Sequence, residues 1–235
     1  MRGNAKVLSL AILLAACVCM TTTSVRADGT LTLTETGMLN PIEGNFNSQL
    51  VTIPQFDPSK GTLCFVVVRI TASYDATVRT ENTAGSSGHI SVMATQTLQV
   101  TSPVFVAPLP ISNSELIPFG SKPVSAFDGT VDYMGPSSAT FTYSPSNPRE
   151  EFLINGLIRE PSDFGFASFT GNGSYDFSFD GSGSAFVQFN TGGADSTTDL
   201  LIGAKVEVEY HYVPEPATLA LLLPGLLLVR RRRAH

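Results

Sequence analysis

The chain has 235 residues, 43% of them hydrophobic and 14% charged, which is too apolar for intrinsic disorder and suits one globular domain plus terminal segments. Its net charge of −6 conceals a segregation: residues 28–212 keep 7 Lys and Arg against 19 Asp and Glu, a net charge of −12, while the other basic residues sit at the two ends. A body that acidic repels phosphate backbones, so nucleic acid is excluded as a partner.

Residues 1–27 read as an export signal. Arg2 and Lys6 supply a basic start, Val7 to Val18 form an apolar run, and Val25-Arg26-Ala27 is a small-residue cleavage site that places the cut between Ala27 and Asp28. A run of about 12 residues is too short for a bilayer, which needs about 20, so a signal helix removed after export is predicted. Leu14-Ala15-Ala16-Cys17 also resembles a bacterial lipoprotein box in which Cys17 would be acylated, although apolar Val18-Cys19-Met20 stands where a polar tether is expected. Loss of the leader leaves Cys64 as the one cysteine, so no internal disulfide forms. Set among Leu63, Phe65 and Val66, Cys64 reads as a buried, inert thiol.

From Asp28 to Tyr212 apolar and polar residues alternate with period two between Gly, Pro, Asn, Asp and Ser clusters, and no helical stripe emerges. In the last strand Val206, Val208, Tyr210 and Tyr212 face the core, and Lys205, Glu207, Glu209 and His211 face solvent. Tyr175, Phe177 and Phe179 form a second stripe, and Ile90, Val92, Leu98 and Val100 a third. Leu63–Ile70 is apolar on both parities, as a central strand would be. Further strands are predicted at 31–36, 49–53, 76–81, 124–131, 139–143, 152–158, 185–189 and 200–202. Gly85-Ser86-Ser87-Gly88 and Gly181-Ser182-Gly183 read as hairpin turns, and Pro103 to Lys122 as a proline-rich connection or irregular edge. Roughly ten to twelve short strands predict an all-β fold, a two-sheet β-sandwich of jelly-roll-like form.

Parts of this body carry a resemblance. Gln55-Phe56-Asp57-Pro58-Ser59-Lys60-Gly61-Thr62-Leu63 before a long apolar strand, then Val78-Arg79-Thr80-Glu81-Asn82-Thr83, and finally Val206-Glu207-Val208-Glu209-Tyr210-His211-Tyr212, resemble the choice-of-anchor E domain of exported bacterial proteins. The resemblance implies a β-rich domain joined to a surface anchor and adds no active site.

At the other end Val213-Pro214-Glu215-Pro216 is predicted to be extended and exposed, since two prolines remove backbone donors. An apolar run follows at residues 217–229, a short transmembrane helix interrupted by Pro224 and Gly225, and Arg230, Arg231, Arg232 and Arg233 then stop translocation. This order resembles a PEP-CTERM sorting signal. The resemblance implies recognition and cleavage near Glu215 by an exosortase, a membrane transpeptidase-like enzyme of bacteria that make extracellular polysaccharide. The implied partners are the export translocon, the exosortase, the inner membrane transiently, and extracellular polysaccharide. The implied location is the cell surface or the medium.

Chemistry within the body is sparse. His89, His211 and His235 are the only histidines; a hydrolase would have to recruit His89, and no Gly-x-Ser-x-Gly elbow accompanies it. The acid pairs Glu150 with Glu151, Asp128 with Asp132 and Asp176 with Asp180 read as solvated surface. Asp176 and Asp180 share a strand face beside Gly-rich segments, which makes them weak Ca²⁺ candidates. No catalytic residue and no cofactor is predicted, and the leading expectation is a non-enzymatic surface or matrix protein. The alternatives are a carbohydrate-binding module using Tyr74, Tyr133 and Tyr143, and a secreted hydrolase pairing His89 with a carboxylate.

Overall fold

Strands follow from the two-residue period because extended backbone sends alternate side chains to opposite faces. The computed structural model describes residues 20–25, 30–105, 111–143, 151–190 and 192–215. Among these run ten strands: β1 (Met20–Val25), β2 (Leu31–Glu43), β3 (Phe46–Pro54), β4 (Gly61–Asn82), β5 (Gly88–Thr101), β6 (Ile111–Val124), β7 (Ser138–Tyr143), β8 (Glu151–Arg159), β9 (Ser174–Phe189) and β10 (Ala194–Pro214). The described helices are two 3-10 turns, Pro58–Lys60 and Phe166–Phe169.

The strands form two antiparallel sheets. One has the order β1-β2-β10-β4-β7, with β8 also paired to β4, and the other has the order β3-β9-β5-β6. β4 and β10 are the long axis of the first sheet, paired from Asn82 opposite Ala194 to Gly61 opposite Pro214. Their inner faces meet those of the second sheet in a core containing Val68, Ile70, Tyr74, Leu98, Phe177, Phe179, Val206, Val208 and Tyr210. A smaller cluster of Val78, Ile90, Val92, Val124, Ala139 and Phe141 continues it, with Phe119 and Ala185 packed against both. The architecture is a β-sandwich. All three predicted apolar stripes lie in this core.

Several expectations need correction. Residues 124–131 are not a strand: Val124 ends β6, and in the loop that follows Asp128 and Asp132 accept hydrogen bonds from the backbone N–H of Thr130 and Met134. Such local bonds compete with a ladder. Of the two readings of the proline-rich stretch 103–122, the edge is the one found: from Ile111 onward it belongs to β6, an edge strand that tolerates Pro118 and Pro123 because only one side needs donors. The 85–88 segment is a corner that carries the chain from β4 in one sheet to β5 in the other. Gly181-Ser182-Gly183 lies inside β9, not at a turn. A Cβ on Gly181 would come within 2.3 Å of the Phe46 ring, and one on Gly183 within 2.5 Å of Leu200, so neighbouring side chains fill the space these glycines leave. Cys64 is half-buried, not buried.

The predicted transmembrane helix at 217–229 lies outside the described residues, as do residues 1–19 and 26–27 of the predicted leader. No described helix is long and apolar enough to cross a membrane. Met20–Val25, predicted as the end of the leader, pairs as β1 with Leu31 to Thr36 of β2.

Candidate functional site

The sequence places its clearest functional motif at the carboxyl end of β10. Tyr210 is fully buried; its hydroxyl donates to the Pro54 carbonyl at 2.6 Å and lies 2.7 Å from the Tyr175 hydroxyl. Burial, with the neighbouring Tyr210, pushes the Tyr175 hydroxyl well above the usual tyrosine range. The Phe56 ring, also buried, sits 4.9 Å from that of Tyr212 and 5.9 Å from that of Tyr210. These rings give the end of β10 a dry inner face.

The outer face is organised as a row across three strands. Thr32 of β2 and Phe65 of β4 stand opposite His211 in the ladder. The Thr32 hydroxyl lies 3.1 Å from His211 Nδ1, and the Phe65 ring stacks on the imidazole at 4.1 Å. His211 Nε2 faces Glu209 Oε2 at 3.2 Å, and Glu209 also accepts a hydrogen bond from Arg69. Burial pushes the Glu209 carboxyl up, but hydrogen bonds from Arg69 and His211 and their charges outweigh it and hold the group below the usual carboxylate range. His211 is therefore buried, contrary to the solvent-facing position predicted for it. Strand parity fixed its face correctly, but flanking Phe65 and Thr32 cover that face.

Beyond His211 the strand shifts register by one residue against β4 and continues through Val213 and Pro214, which pair with Thr62 and Gly61. Gly61 has φ of +148°, and a Cβ there would lie 2.1 Å from the Val213 carbonyl oxygen, so only glycine admits this approach. The preceding 3-10 turn is capped by Asp57, whose side chain accepts from the Ser59 N–H at 2.8 Å. That hydrogen bond holds the Asp57 carboxyl below its usual value. Val213 and Pro214 of the predicted sorting motif are thus extended, and Val213 is exposed, as expected, but both belong to a strand and Pro214 is buried, which corrects the expectation that the prolines keep this segment exposed and out of a sheet. Glu215 is exposed. Pro216 and Arg230 to Arg233 lie outside the described residues, as do Ala27 and Asp28. On either side of the predicted leader cut Val25 and Leu31 pair with each other, and Leu31 also pairs with Tyr212.

The other sequence candidates are dispersed. Asp176 accepts from the Thr52 hydroxyl at 2.6 Å and Asp180 from the Ser48 N–H at 2.7 Å, so both fasten β9 to β3. Among the described residues no three His, Cys, Asp or Glu side chains converge as a metal site. Tyr74 is buried in the core, and Tyr133 and Tyr143 are half-buried, so none is the exposed platform predicted for sugar stacking. His89 is exposed, and no described hydrogen bond or ion pair joins its ring to a carboxylate. His235 and Glu150 are outside the described residues, and Glu151 lies in β8. Two exposed aromatics escaped the sequence reading: Phe164, beside a groove lined by Thr101, Ser102 and Asp176, and Phe186, opposite exposed Met93. Phe186 was detectable as an apolar residue on the polar parity of β9, with Ser184 and Gln188.

No family model matches the chain, and no curated protein matches it. Among solved structures, it is similar to the infectious bursal disease virus Gt strain at 9% identity and a TM-score of 0.16, covering 86% of this chain and 48% of that one. Infectious bursal virus derived T=1 particles match at 9% identity and a TM-score of 0.18, covering 82% and 48%. The chain thus spans about half the length of these solved chains. Likeness at that level transfers neither fold nor function.

Proposed function

We propose that this chain is an exported bacterial surface or matrix protein, non-enzymatic, whose jelly-roll-like sandwich is delivered by an amino-terminal leader and released or attached by exosortase cleavage at Val213-Pro214-Glu215-Pro216. The observation that carries the reading is the junction at the end of β10. Paired backbone persists through Pro214, Glu215 is exposed, and an apolar run closed by four arginines follows at once. A processing enzyme in the membrane needs such an arrangement: a stable domain up to the motif, an accessible residue within it, and a cationic stop behind it. The jelly-roll-like form is supported by successive strands that change sheets, β2 to β3, β4 to β5 and β9 to β10. The acidic body fits a role in the envelope or polysaccharide matrix, where no anionic partner has to approach it closely.

Intact-mass measurement and cell fractionation of the native protein, with and without the exosortase, test this. The expected product begins at Asp28 and lacks the arginine tail only when the enzyme is present. A tail retained in both strains overturns the sorting proposal, and a diacylglyceryl group on Cys17 overturns cleavage after Ala27.

A further inference from the structure

The opposite end of the β4–β10 ribbon holds a charge arrangement that the sorting signal does not use. Glu81 of β4 stands between Asp195 of β10 and Ser138 of β7 in the ladder, so the three residues share the outer face of the sheet. The loop from Ser125 to Ser137 folds back against that end of the sheet. The loop is fastened by the Ser125 N–H to the Pro136 carbonyl at 2.8 Å, the Asn82 N–H to the Ser137 carbonyl at 2.9 Å and the Phe127 N–H to the Ala84 carbonyl at 2.9 Å. The Asn82 amide adds hydrogen bonds to the carbonyls of Ser125 and Ser86 at 2.6 and 2.8 Å. Beneath it Glu81 has no solvent exposure at all, and neither of its carboxylate oxygens has a hydrogen-bond partner.

A buried carboxylate without a donor is strongly disfavoured, and here a second carboxylate lies directly across the ladder. No described cation compensates the pair. Arg79, two residues along the same face, is bonded to Asp199 at 2.9 Å, and Lys122 donates to the Thr140 carbonyl at 2.6 Å. Within the loop Asp128 is engaged with the Thr130 N–H and the Ser137 hydroxyl. Tyr133 is held in the left-handed region at φ of +58°, unusual for a residue with a side chain. Burial, followed by the charges of Asp195 and Glu81, raises its hydroxyl above the ordinary tyrosine value, so that hydroxyl lies within the field of both acids.

We infer that Glu81 and Asp195, under the loop from Ser125 to Ser137, form a binding site for a hard divalent cation, with Ca²⁺ as the best chemical match. The donors at hand are oxygens only, with no His or Cys in the group, which disfavours zinc and other softer metals. A shell completed by water or backbone carbonyls of an irregular loop suits the variable coordination of Ca²⁺ better than the strict octahedron of Mg²⁺. Two carboxylates balance one divalent charge. With so few acidic ligands the expected affinity is modest, with a Kd of about 10⁻⁴–10⁻³ M. This site is separate from Asp176 and Asp180 and does not depend on the sorting proposal.

The test uses the full chain. Calcium chloride at about 10 mM, above the expected Kd, should raise the thermal midpoint. Terbium should show emission on tyrosine excitation, displaced by Ca²⁺; the chain has no Trp, so tyrosine is the sensitiser. Glu81→Gln should weaken Ca²⁺ binding by at least about tenfold, as loss of a charged ligand does, and Asp195→Asn should weaken it too. Tyr133→Phe should dim the terbium signal while the thermal shift persists, and the Asp176→Asn/Asp180→Asn double variant should bind as the unmodified chain does. No thermal shift and no emission in the unmodified chain would overturn the inference, as would an unchanged shift in Glu81→Gln. Should Glu81→Gln fail to fold, Asp195→Asn decides, because Asp195 is exposed: undiminished binding there overturns the site.

Discussion

The two ends of the β4–β10 ribbon treat acidic residues in opposite ways. At the carboxyl end of β10, Glu207 and Glu209 converge on Arg69, and Glu209 also meets His211. At the other end Glu81 and Asp195 face each other across the same two strands, and the buried member has no donor. The ladder is continuous between them, so strand pairing is not the cause. The difference lies in which side chains stand on neighbouring positions of the outer face. A carboxylate paired with Arg69 and His211 is satisfied where it stands, whereas a buried one without a donor carries an uncompensated charge.

The comparison can be broken most severely at Gly61. Gly61→Ala should cost about 2–4 kcal/mol, because a Cβ collides with the Val213 carbonyl in a backbone region that disfavours side chains. At the far end Gly85→Ala, which meets open space, should stay within about 0.5 kcal/mol. Urea unfolding of both variants measures the contrast, and equal midpoints would show that the last residues of β10 are not held by the sheet. A smaller loss is expected from Tyr210→Phe. It deprives the Pro54 carbonyl and the Tyr175 hydroxyl of a partner in a buried setting, for about 1–3 kcal/mol; calorimetry showing no change would mean that the aromatic packing alone secures the junction.

The finest effect is a pH dependence. The Glu209 carboxyl is held below its ordinary value of 4.5, so its stabilisation is present above that value and lost as pH falls through the lowered folded value. The stability gap between the unmodified chain and Glu209→Gln should therefore be full near neutral pH and narrow progressively under acid conditions below 4.5. A gap that stays constant through acid unfolding would assign the effect to packing and not to charge.

Much of the sandwich was legible because alternation is a local property. Each stripe that buries residues such as Tyr175, Phe177 and Phe179 is written in consecutive residues, and extended backbone converts it directly into a face. The strand boundaries were less legible. Gly181 and Gly183 have the composition of a turn, and only the Phe46 ring and Leu200 pressed against them explain why the strand runs straight through. Pro118 and Pro123 argue against a strand until β6 is known to lie at a sheet edge.

The functional positions divide in the same way. The order of apolar amino-terminal run, acidic body, Pro-Glu-Pro motif, second apolar run and arginines is covalent, so the sequence alone determines it. That Val213 and Pro214 are stitched to Thr62 and Gly61, that His211 lies under Phe65, and that Glu81 stands opposite Asp195 beside a distant loop were decided by tertiary structure. Period two tells which way a side chain points but carries no information about what a remote segment lays over it. Burial, and with it the pairing or isolation of a charge, is a property of contacts between residues far apart in the chain.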